Sequence, residues 1–393
     1  MLNIVHFGKY YLPETGGIES VTASLARGAA EAGHRVTVVC FKKTEASGDE
    51  VIDGVRVVRA PIARSIASQP LGAKYIRHCL RESRDADVIH LHAPNMLGAL
   101  CCLLAGKRPR LLVHWHSDVI DKGWLGQAFR PLETALLRRA DCIVVTSAVY
   151  AEASSTITPY RQKITVVPIG VPHAKALGSP DIDRDTMPSD LQARLAGKRL
   201  VLAVGRLVAY KGFDVLIKAA MDLRGDAIVI IVGDGPLRES LQAEIDGDGL
   251  AERVHLAGRL SDAALHALFD RASVYCLPSL QRAEAFGVVL LEAMSYGLPI
   301  VATNIPGSGV PWVNQHDVSG FNVPVGDPQA LACACNRILD SDHEHARLSE
   351  GARRRFMAEF TEDQSVQKIL AIYRCLASNG PQPPLNSTTS EHL

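Results

Sequence analysis

Leu280 to Pro299 reads LQRAEAFGVVLLEAMSYGLP, with Glu284 and Glu292 flanking Phe286 and Gly287. The apolar run before it, Val274-Tyr-Cys-Leu-Pro278, predicts a short buried strand. After Gly287, Val288, Leu291 and Met294 recur at helical spacing, with Val289 and Ala293 beside them, which predicts a helix. Glu284 then lies on a strand-to-helix loop and Glu292 inside the helix. A helix start offers free backbone N–H groups and the positive end of the dipole, which suits a phosphate or a sugar hydroxyl. An amphipathic helix with two solvated glutamates would carry the same letters. Glu292, however, falls among apolar residues, where a carboxylate costs free energy unless it finds a partner.

Outward from this stretch the chain alternates strand and helix on both sides. Upstream, strands are predicted at Leu200–Val204, Ala227–Val232 and Val254–Leu256, with helices at Asp214–Met221, at Leu237–Asp246 opened by Pro236, and at Ser261–Ala272. Downstream come strands Ile300–Ala302 and Gly320–Val323, helices near 328–340 and 343–358, and an amphipathic helix over 361–376. The first half repeats the pattern. Strands are predicted at Leu2–Phe7, Val36–Phe41, Val55–Ala60, Val88–His92, Arg110–His114, Asp141–Thr146 and Lys163–Val167, with helices at 18–32, 63–84, 96–105 and 125–139. Repeated β-α-β units predict doubly wound parallel sheets. At 393 residues the chain is too long for one ordinary core. The expected plan is a domain over 1–175, a Pro/Gly/Asp/Ser-rich linker over 176–197, a second domain over 198–360, a helix over 361–377 and a disordered tail over 378–393.

Composition narrows the function. Hydrophobic residues make up 47% and charged residues 21%, as in a globular protein, and aromatic residues only 5%, too few for stacking platforms for nucleic acid. A formal net charge of zero also argues against a general nucleic-acid binder. That zero hides an asymmetry: 22 Lys+Arg against 15 Asp+Glu in residues 1–178, and 20 against 27 afterwards. A basic first half attracts anionic lipid or a phosphorylated acceptor. The nine cysteines include no CxxC pair, and Cys40, Cys142 and Cys276 sit in apolar strand-like runs, which fits a reducing cytosol. MLNIVHFG reads as a strand rather than a signal peptide, and the longest apolar run, Met96–Gly106, is too short to span a bilayer. Any membrane contact is therefore expected to be peripheral.

Several loops at strand ends carry candidate chemistry. Gly16-Gly17-Ile18-Glu19 lets the backbone approach a ligand, or makes a plain tight turn; it is not a GxGxxG dinucleotide fingerprint. His114-Trp-His116-Ser-Asp118 follows a strand, with either histidine a candidate and Asp118 expected to cap a helix. Gly205-Arg206-Leu207 followed by Lys211-Gly212 offers two cations that can neutralise a diphosphate, or a solvated basic loop. Gly233-Asp-Gly-Pro236 and Gly258-Arg259-Leu260 end two further strands. No metal site is expected, because Asp85-Ala-Asp87 precedes its strand instead of following one.

The Glu284-x7-Glu292 pair with Phe286-Gly287 resembles the E-x7-E signature of retaining, nucleotide-sugar-dependent glycosyltransferases of the GT-B fold, two Rossmann-like domains facing across a cleft, and within them the bacterial family 4. Four loops match in order over about residues 3–360. The resemblance implies that Glu292 binds the ribose hydroxyls of the donor and Glu284 holds the transferred sugar, with backbone N–H groups of Phe286 and Gly287. It places Arg206 and Lys211 on the diphosphate, His116 on the donor sugar, Gly16 and Gly17 beside the diphosphate and acceptor, and Gly205, Gly258 and Leu260 along the nucleotide. It implies no metal and no cofactor beyond the donor. Thr303 to Gly309, TNIPGSG, departs from the family's Gly-Gly-Val-Pro pattern, Pro311-Trp312 replaces Pro-Glu, and Ile169 stands where Asn is common.

The segments Phe7–Pro13 and Gly16–Glu19, with Thr146-Ser147 and Val167–Gly170, resemble bacterial polysaccharide mannosyltransferases, which implies GDP-mannose as donor and a lipid-linked oligosaccharide as acceptor. Lys74, Arg77, Arg81 and Arg84 near one helix face, with Trp124, Phe129, Arg130, Arg138 and Arg139, are the expected contacts to acceptor and membrane. A UDP-sugar donor, a nucleotide-sugar 2-epimerase on the same fold, and a non-catalytic nucleotide-sugar binder remain open. An epimerase would interconvert sugars without an acceptor. A non-catalytic chain would tolerate the loss of Glu284, which this chain retains along with Arg206, Lys211 and Glu292.

Overall fold

The computed structural model describes residues 1–14, 16–42, 48–66, 69–118, 123–173 and 187–378, with backbone alone over 123–128. Residues 176–186 of the expected linker and 379–393 of the expected tail lie outside the described residues. The chain divides into two compact units, Met1–Gly170 with Glu362–Leu393, and Val171–Thr361. The division falls at Gly170, and the helix Glu362–Ala377 groups with the first unit.

In the first unit the strands are β1 (Asn3–Phe7), β2 (Arg35–Lys42), β3 (Gly48–Ile52), β4 (Val55–Pro61), β5 (Arg64–Ile66), β6 (Gln69–Leu71), β7 (Val88–Ala93), β8 (Arg110–Trp115), β9 (Cys142–Val145) and β10 (Ile164–Val166). Eight of them form one sheet in the order β10-β9-β8-β7-β1-β2-β4-β3, parallel except for the β3–β4 pair. The order reverses beside β1, so the crevice outside β1 and β7 is where an open α/β sheet takes its ligands. Two differences from the sequence reading concern this unit. The helix expected over 63–84 begins only at Ala73, and the residues before it pair as the β5–β6 hairpin. Pro70 lies in that hairpin, and proline disfavours helix at the residue before it. Strand β3, exposed along its length, carries too few apolar residues to be seen by periodicity.

The helix Glu362–Ala377 buries Val366, Ile369, Leu370, Ile372, Tyr373 and Leu376. It packs on the helix Gly17–Glu31, where Gly28 makes room: a Cβ there would lie 2.5 Å from Val366 Cγ1. Arg27 and Glu362 close the contact with an ion pair.

In the second unit the strands are β11 (Arg199–Val204), β12 (Ala227–Val232), β13 (Val254–Gly258), β14 (Val274–Leu277), β15 (Ile300–Thr303) and β16 (Gly320–Val323). They form a fully parallel sheet in the order β13-β12-β11-β14-β15-β16. Strands covered on both faces read as unbroken apolar runs, and Ala227–Val232 (AIVIIV) is buried throughout. Its core gathers Val201, Val229, Ile231, Val254, Cys276, Val301 and Ile338, all 0–2% exposed. Strand order reverses between β11 and β14, the arrangement of dinucleotide-binding sheets. The helix predicted to open at Pro236 begins at Arg238, and a short helix, Val310–Val313, was not expected.

Candidate functional site

Both switch points hold the residues singled out above, and the second unit holds most of them. The loop after β11 carries Gly205, Arg206 and Lys211, and the loop after β14 carries Glu284, Phe286 and Gly287. Because β11 and β14 are neighbours, these loops meet. Lys211 Nζ donates to Glu284 Oε2 at 2.5 Å, and Ser279 Oγ donates to the same oxygen at 3.0 Å. Lys211 and Glu284 are both buried, at 8% and 9% exposure. Burial lowers the Lys211 pKa, but the Glu284 carboxylate, helped by Tyr210, outweighs it and the net shift is upward. The ammonium is therefore held charged inside the protein. The sequence reading gave Lys211 to a phosphate and Glu284 to a sugar; in the structure the two are each other's partner.

Arg206, paired with Lys211 in that reading, is exposed where Lys211 is buried. The two cations are thus not equivalent: one is fixed at the floor of the loops and the other reaches from the rim.

Glycines bring the backbones together here. Gly233, at φ +139°, packs its Cα against the next loop, so that an added Cβ would lie 1.9 Å from the Gly205 carbonyl oxygen. Its N–H donates to the Gly258 carbonyl at 2.8 Å, which ties the ends of β11, β12 and β13 into one rim, with Leu260 half-buried just beyond. Gly287, at φ +76°, is the residue before the helix Val288–Ser295. The left-handed turn there costs a side-chain-bearing residue about 1 kcal/mol or more.

Glu292 sits in that helix, half-buried, and burial first, then the charge of Asp262, raises its carboxyl from 4.5 to about 7. Among the described residues no basic side chain offsets this shift. The departures from the family pattern acquire a local reason. Ser308 Oγ donates to the Glu284 carbonyl and Gly309 N–H to the Ala285 carbonyl, so this segment supports the glutamate loop. Trp312 packs against Phe286 and Phe360, at ring-centroid distances of 6.1 and 5.5 Å, with the Arg355 guanidinium over its face.

In the first unit, Gly16 precedes the helix that starts at Gly17, and a Cβ on Gly16 would meet the Glu19 carboxylate at 2.4 Å. His116 follows β8 and is 7% exposed, against 1% for His114. His116 lies one strand step nearer the carboxyl end, and its Nε2 lies 3.0 Å from His92 Nδ1. Asp118, expected to cap a helix, accepts at Oδ1 from Trp115 Nε1 at 2.9 Å and from Ser154 Oγ at 2.7 Å.

The sequence reading missed His6, His90 and His92, which share the buried face with His114 and His116. The signal was present: His90-x-His92 and His114-x-His116 each place two histidines on one face of adjacent strands, with His92 opposite His114 and His6 opposite His90. Burial pushes all five below the usual histidine range, His6 and His116 to about 3.

Among the expected membrane contacts, Lys74, Arg77, Arg81 and Arg84 are exposed, although Arg81 pairs with Glu82. Arg139 is not available in that way. Its guanidinium binds Asp141 and the carbonyls of Gly106 and Pro109 and is 10% exposed. The Trp124 side chain lies outside the described residues. Among the described residues no helix is long and apolar enough to cross a membrane.

Two Rossmann-like units with parallel sheets define the architecture, and solved structures share it. Sucrose-phosphate synthase from Thermosynechococcus elongatus superposes with a TM-score of 0.76 at 22% identity, covering 96% of this chain and 99% of that one. Anabaena HepE in complex with UDP superposes with a TM-score of 0.75 at 21% identity, covering 94% and 99%. The fold is thus that of the GT-B glycosyltransferases.

In sequence, residues 190–355 match the family "Glycosyl transferases group 1", and residues 16–170 match the "Glycosyl transferase 4-like domain". The chain is 32% identical over 376 residues to O-antigen chain mannosyltransferase C of Escherichia coli, covering 95% of this chain and 99% of the relative. It is 31% identical over 368 residues to D-rhamnosyltransferase WbpZ of Pseudomonas aeruginosa, covering 92% of each. The chain belongs to the group 1 glycosyltransferases.

Proposed function

We propose that this glycosyltransferase moves mannose from GDP-mannose, with retention at the anomeric carbon, to a lipid-linked oligosaccharide during bacterial surface-polysaccharide assembly. The observation that carries the reading is the buried Lys211–Glu284 pair, set at the switch point of the second sheet where the loops after β11 and β14 meet. A buried pair costs desolvation, and a nearby carboxylate keeps the lysine charged until an anion arrives. A diphosphate offers that anion. Lys211 then neutralises the charge that develops on the leaving nucleoside diphosphate, and Arg206 closes on it from the rim. Glu284, released from its cation, accepts from the hydroxyls of the sugar, and Phe286 and Gly287 donate backbone N–H groups. Glu292 accepts from the ribose hydroxyls, which supply the partner its apolar surroundings withhold. His116 is assigned to the donor sugar on the family resemblance, as are Gly16 and Gly17 to the diphosphate and acceptor, and Gly258 and Leu260 to the base.

Mannose as the sugar rests on the E. coli relative, whose name specifies a mannosyltransferase. Surface-polysaccharide assembly rests on that name too. The charge neutralisation is assigned to side chains, so transfer is expected without an added metal ion. The acceptor reading draws on the exposed cations Lys74, Arg77 and Arg84, which suit an anionic lipid surface at the inner face of the cytoplasmic membrane.

Thermal unfolding in the presence of GDP-mannose, other GDP-sugars and UDP-sugars tests the donor. GDP-mannose is expected to raise the midpoint most. Protection by a UDP-sugar and not by GDP-mannose would move the assignment to a different donor. A transfer assay tests the site: Lys211→Ala and Glu292→Ala should each lower the rate at least about tenfold, or roughly 1.4 kcal/mol of barrier. Near-wild-type rates in both would refute the residue roles.

A further inference from the structure

Five buried groups of the first unit form a continuous hydrogen-bonded chain. His116 Nε2 faces His92 Nδ1 at 3.0 Å, and His92 Nε2 faces His6 Nδ1 at 3.0 Å. His6 Nε2 faces the Tyr373 hydroxyl at 3.2 Å, and that hydroxyl faces His90 Nδ1 at 2.6 Å. The chain runs from the end of β8 through β7 and β1 to the last helix. Nothing in the proposed transfer uses it beyond His116.

Proton counting constrains the chain. Each ring is buried in apolar surroundings and neutral, so each carries one N–H and one lone pair. The Tyr373 hydroxyl, 0% exposed, has His6 and His90 as its partners and donates to one of them. If it donates to His6, then His6 Nδ1–H donates to His92, His92 Nδ1–H donates to His116 Nε2, and His116 keeps its proton on Nδ1. If it donates to His90, every link reverses: His6 Nε2–H donates to the phenol, His92 Nε2–H to His6, and His116 Nε2–H to His92. His116 Nδ1 is then a bare lone pair.

The distances choose between the two. O–H donors make shorter bonds than N–H donors. The 2.6 Å contact to His90 fits an O–H donor, and the 3.2 Å contact to His6 fits an N–H donor. These distances favour the second arrangement. At His90 the second arrangement leaves the Nε2–H without an acceptor among the described residues and the first leaves only a lone pair unpaired, a cost that the short Tyr373–His90 bond opposes.

A metal ion is the other use of such a cluster, since His6, His90 and His92, or His92, His114 and His116, present ring nitrogens within 4.8 Å of one another. The ring planes argue against it. His114 and His116 stack at 4.1 Å and 13°, and His92 lies 13° from His116 and 26° from His114; in the other set His92 lies 18° from His90 and 19° from His6, with His6 and His90 tilted by 37°. Lone pairs lie in ring planes, so near-parallel rings aim them side by side and not at one point.

We propose that Tyr373 is a positioning residue: acting through His6 and His92, it holds His116 in the tautomer that leaves Nδ1 free to accept a hydrogen bond. The link to transfer rests on the role assigned to His116 above; the tautomer itself does not.

Two-bond proton–nitrogen spectra of the full-length protein labelled with ¹⁵N-histidine read each ring directly, with His116 identified by its absence in His116→Gln. In the wild type His116 is expected as the Nε2–H form. Tyr373→Phe keeps the ring and removes the hydroxyl, and should convert His116 to a mixture or to the Nδ1–H form. His6→Phe, which cuts the next link, should change the His116 signals in the same sense. An Nδ1–H form in the wild type would overturn the proposal. So would His116 signals that neither variant moves.

In the transfer assay Tyr373→Phe should lower the turnover rate about tenfold with the donor KM little changed. A tautomer that shifts while turnover stays at the wild-type value would overturn the positioning role and count against the site role of His116. Unchanged turnover in His116→Gln would remove that site role without touching the spectra. Stoichiometric uptake of Zn²⁺ by the wild type, abolished in His92→Ala, would make the cluster a metal site and overturn the proposal.

Discussion

Lys211 and Glu284 show how one pair of residues serves both stability and chemistry. Each is charged and buried, and each is the other's counter-ion at 2.5 Å. Removing one partner strands the other, which costs about 3–5 kcal/mol, whereas replacing both by apolar residues of similar size costs far less. Lys211→Met or Glu284→Leu alone should therefore lower the urea midpoint more than the double variant does. Glu292 makes a separate prediction about pH. Its carboxyl is raised from 4.5 to about 7, so between those values the folded chain holds a proton that the unfolded chain has lost. Its contribution favours folding below pH 4.5 and is lost as pH rises towards 7. Glu292→Gln should flatten the dependence of Tm on pH across that window. Ribose hydroxyls that donate to the ionised carboxylate pull its pKa back down, so nucleotide affinity should rise from about pH 6 to pH 8 in the wild type and stay level in Glu292→Gln.

At the scale of elements, glycine and a single β-branched contact fix the last helix on the first. Gly28→Ala places a methyl 2.5 Å from Val366 Cγ1, and the stiff valine cannot turn aside. The cost should be about 1–3 kcal/mol. Val366→Ala opens the space, and the double variant should recover most of that loss, helped by the better helix propensity of alanine. A double-mutant cycle by urea unfolding measures the coupling. Periodicity made the helices after Gly287 and over 361–376 legible, because each has an apolar face of several turns. It could not show the β5–β6 hairpin or the exposed strand β3, which have no apolar stripe to read. Nor could it show that the loops after β11 and β14 meet, since that follows from strand order, and strand order is set by packing.

Over the whole molecule, the sequence already placed Glu284, Lys211 and Gly205 on strand ends, and the sheet's switch point brings those ends together. The histidine cluster escaped because its members lie on three strands and Tyr373 on the last helix, 367 positions from His6. Spacing within a strand shows the pairs His90-x-His92 and His114-x-His116, but not that they meet His6 and Tyr373. The second unit is the stretch Val171–Thr361 and contains the side chains assigned to the nucleotide's phosphates and ribose, Arg206, Lys211 and Glu292. Produced alone, that stretch should fold and bind the nucleoside diphosphate. The central claim is that Lys211, beside Glu284, receives the diphosphate of the donor. Calorimetric titration of the full chain with GDP-mannose tests it most directly. The wild type should bind, and Lys211→Met should bind at least about tenfold more weakly, a difference of roughly 1.4 kcal/mol. Equal affinity in the two, or binding in neither to any nucleoside diphosphate sugar, would contradict it.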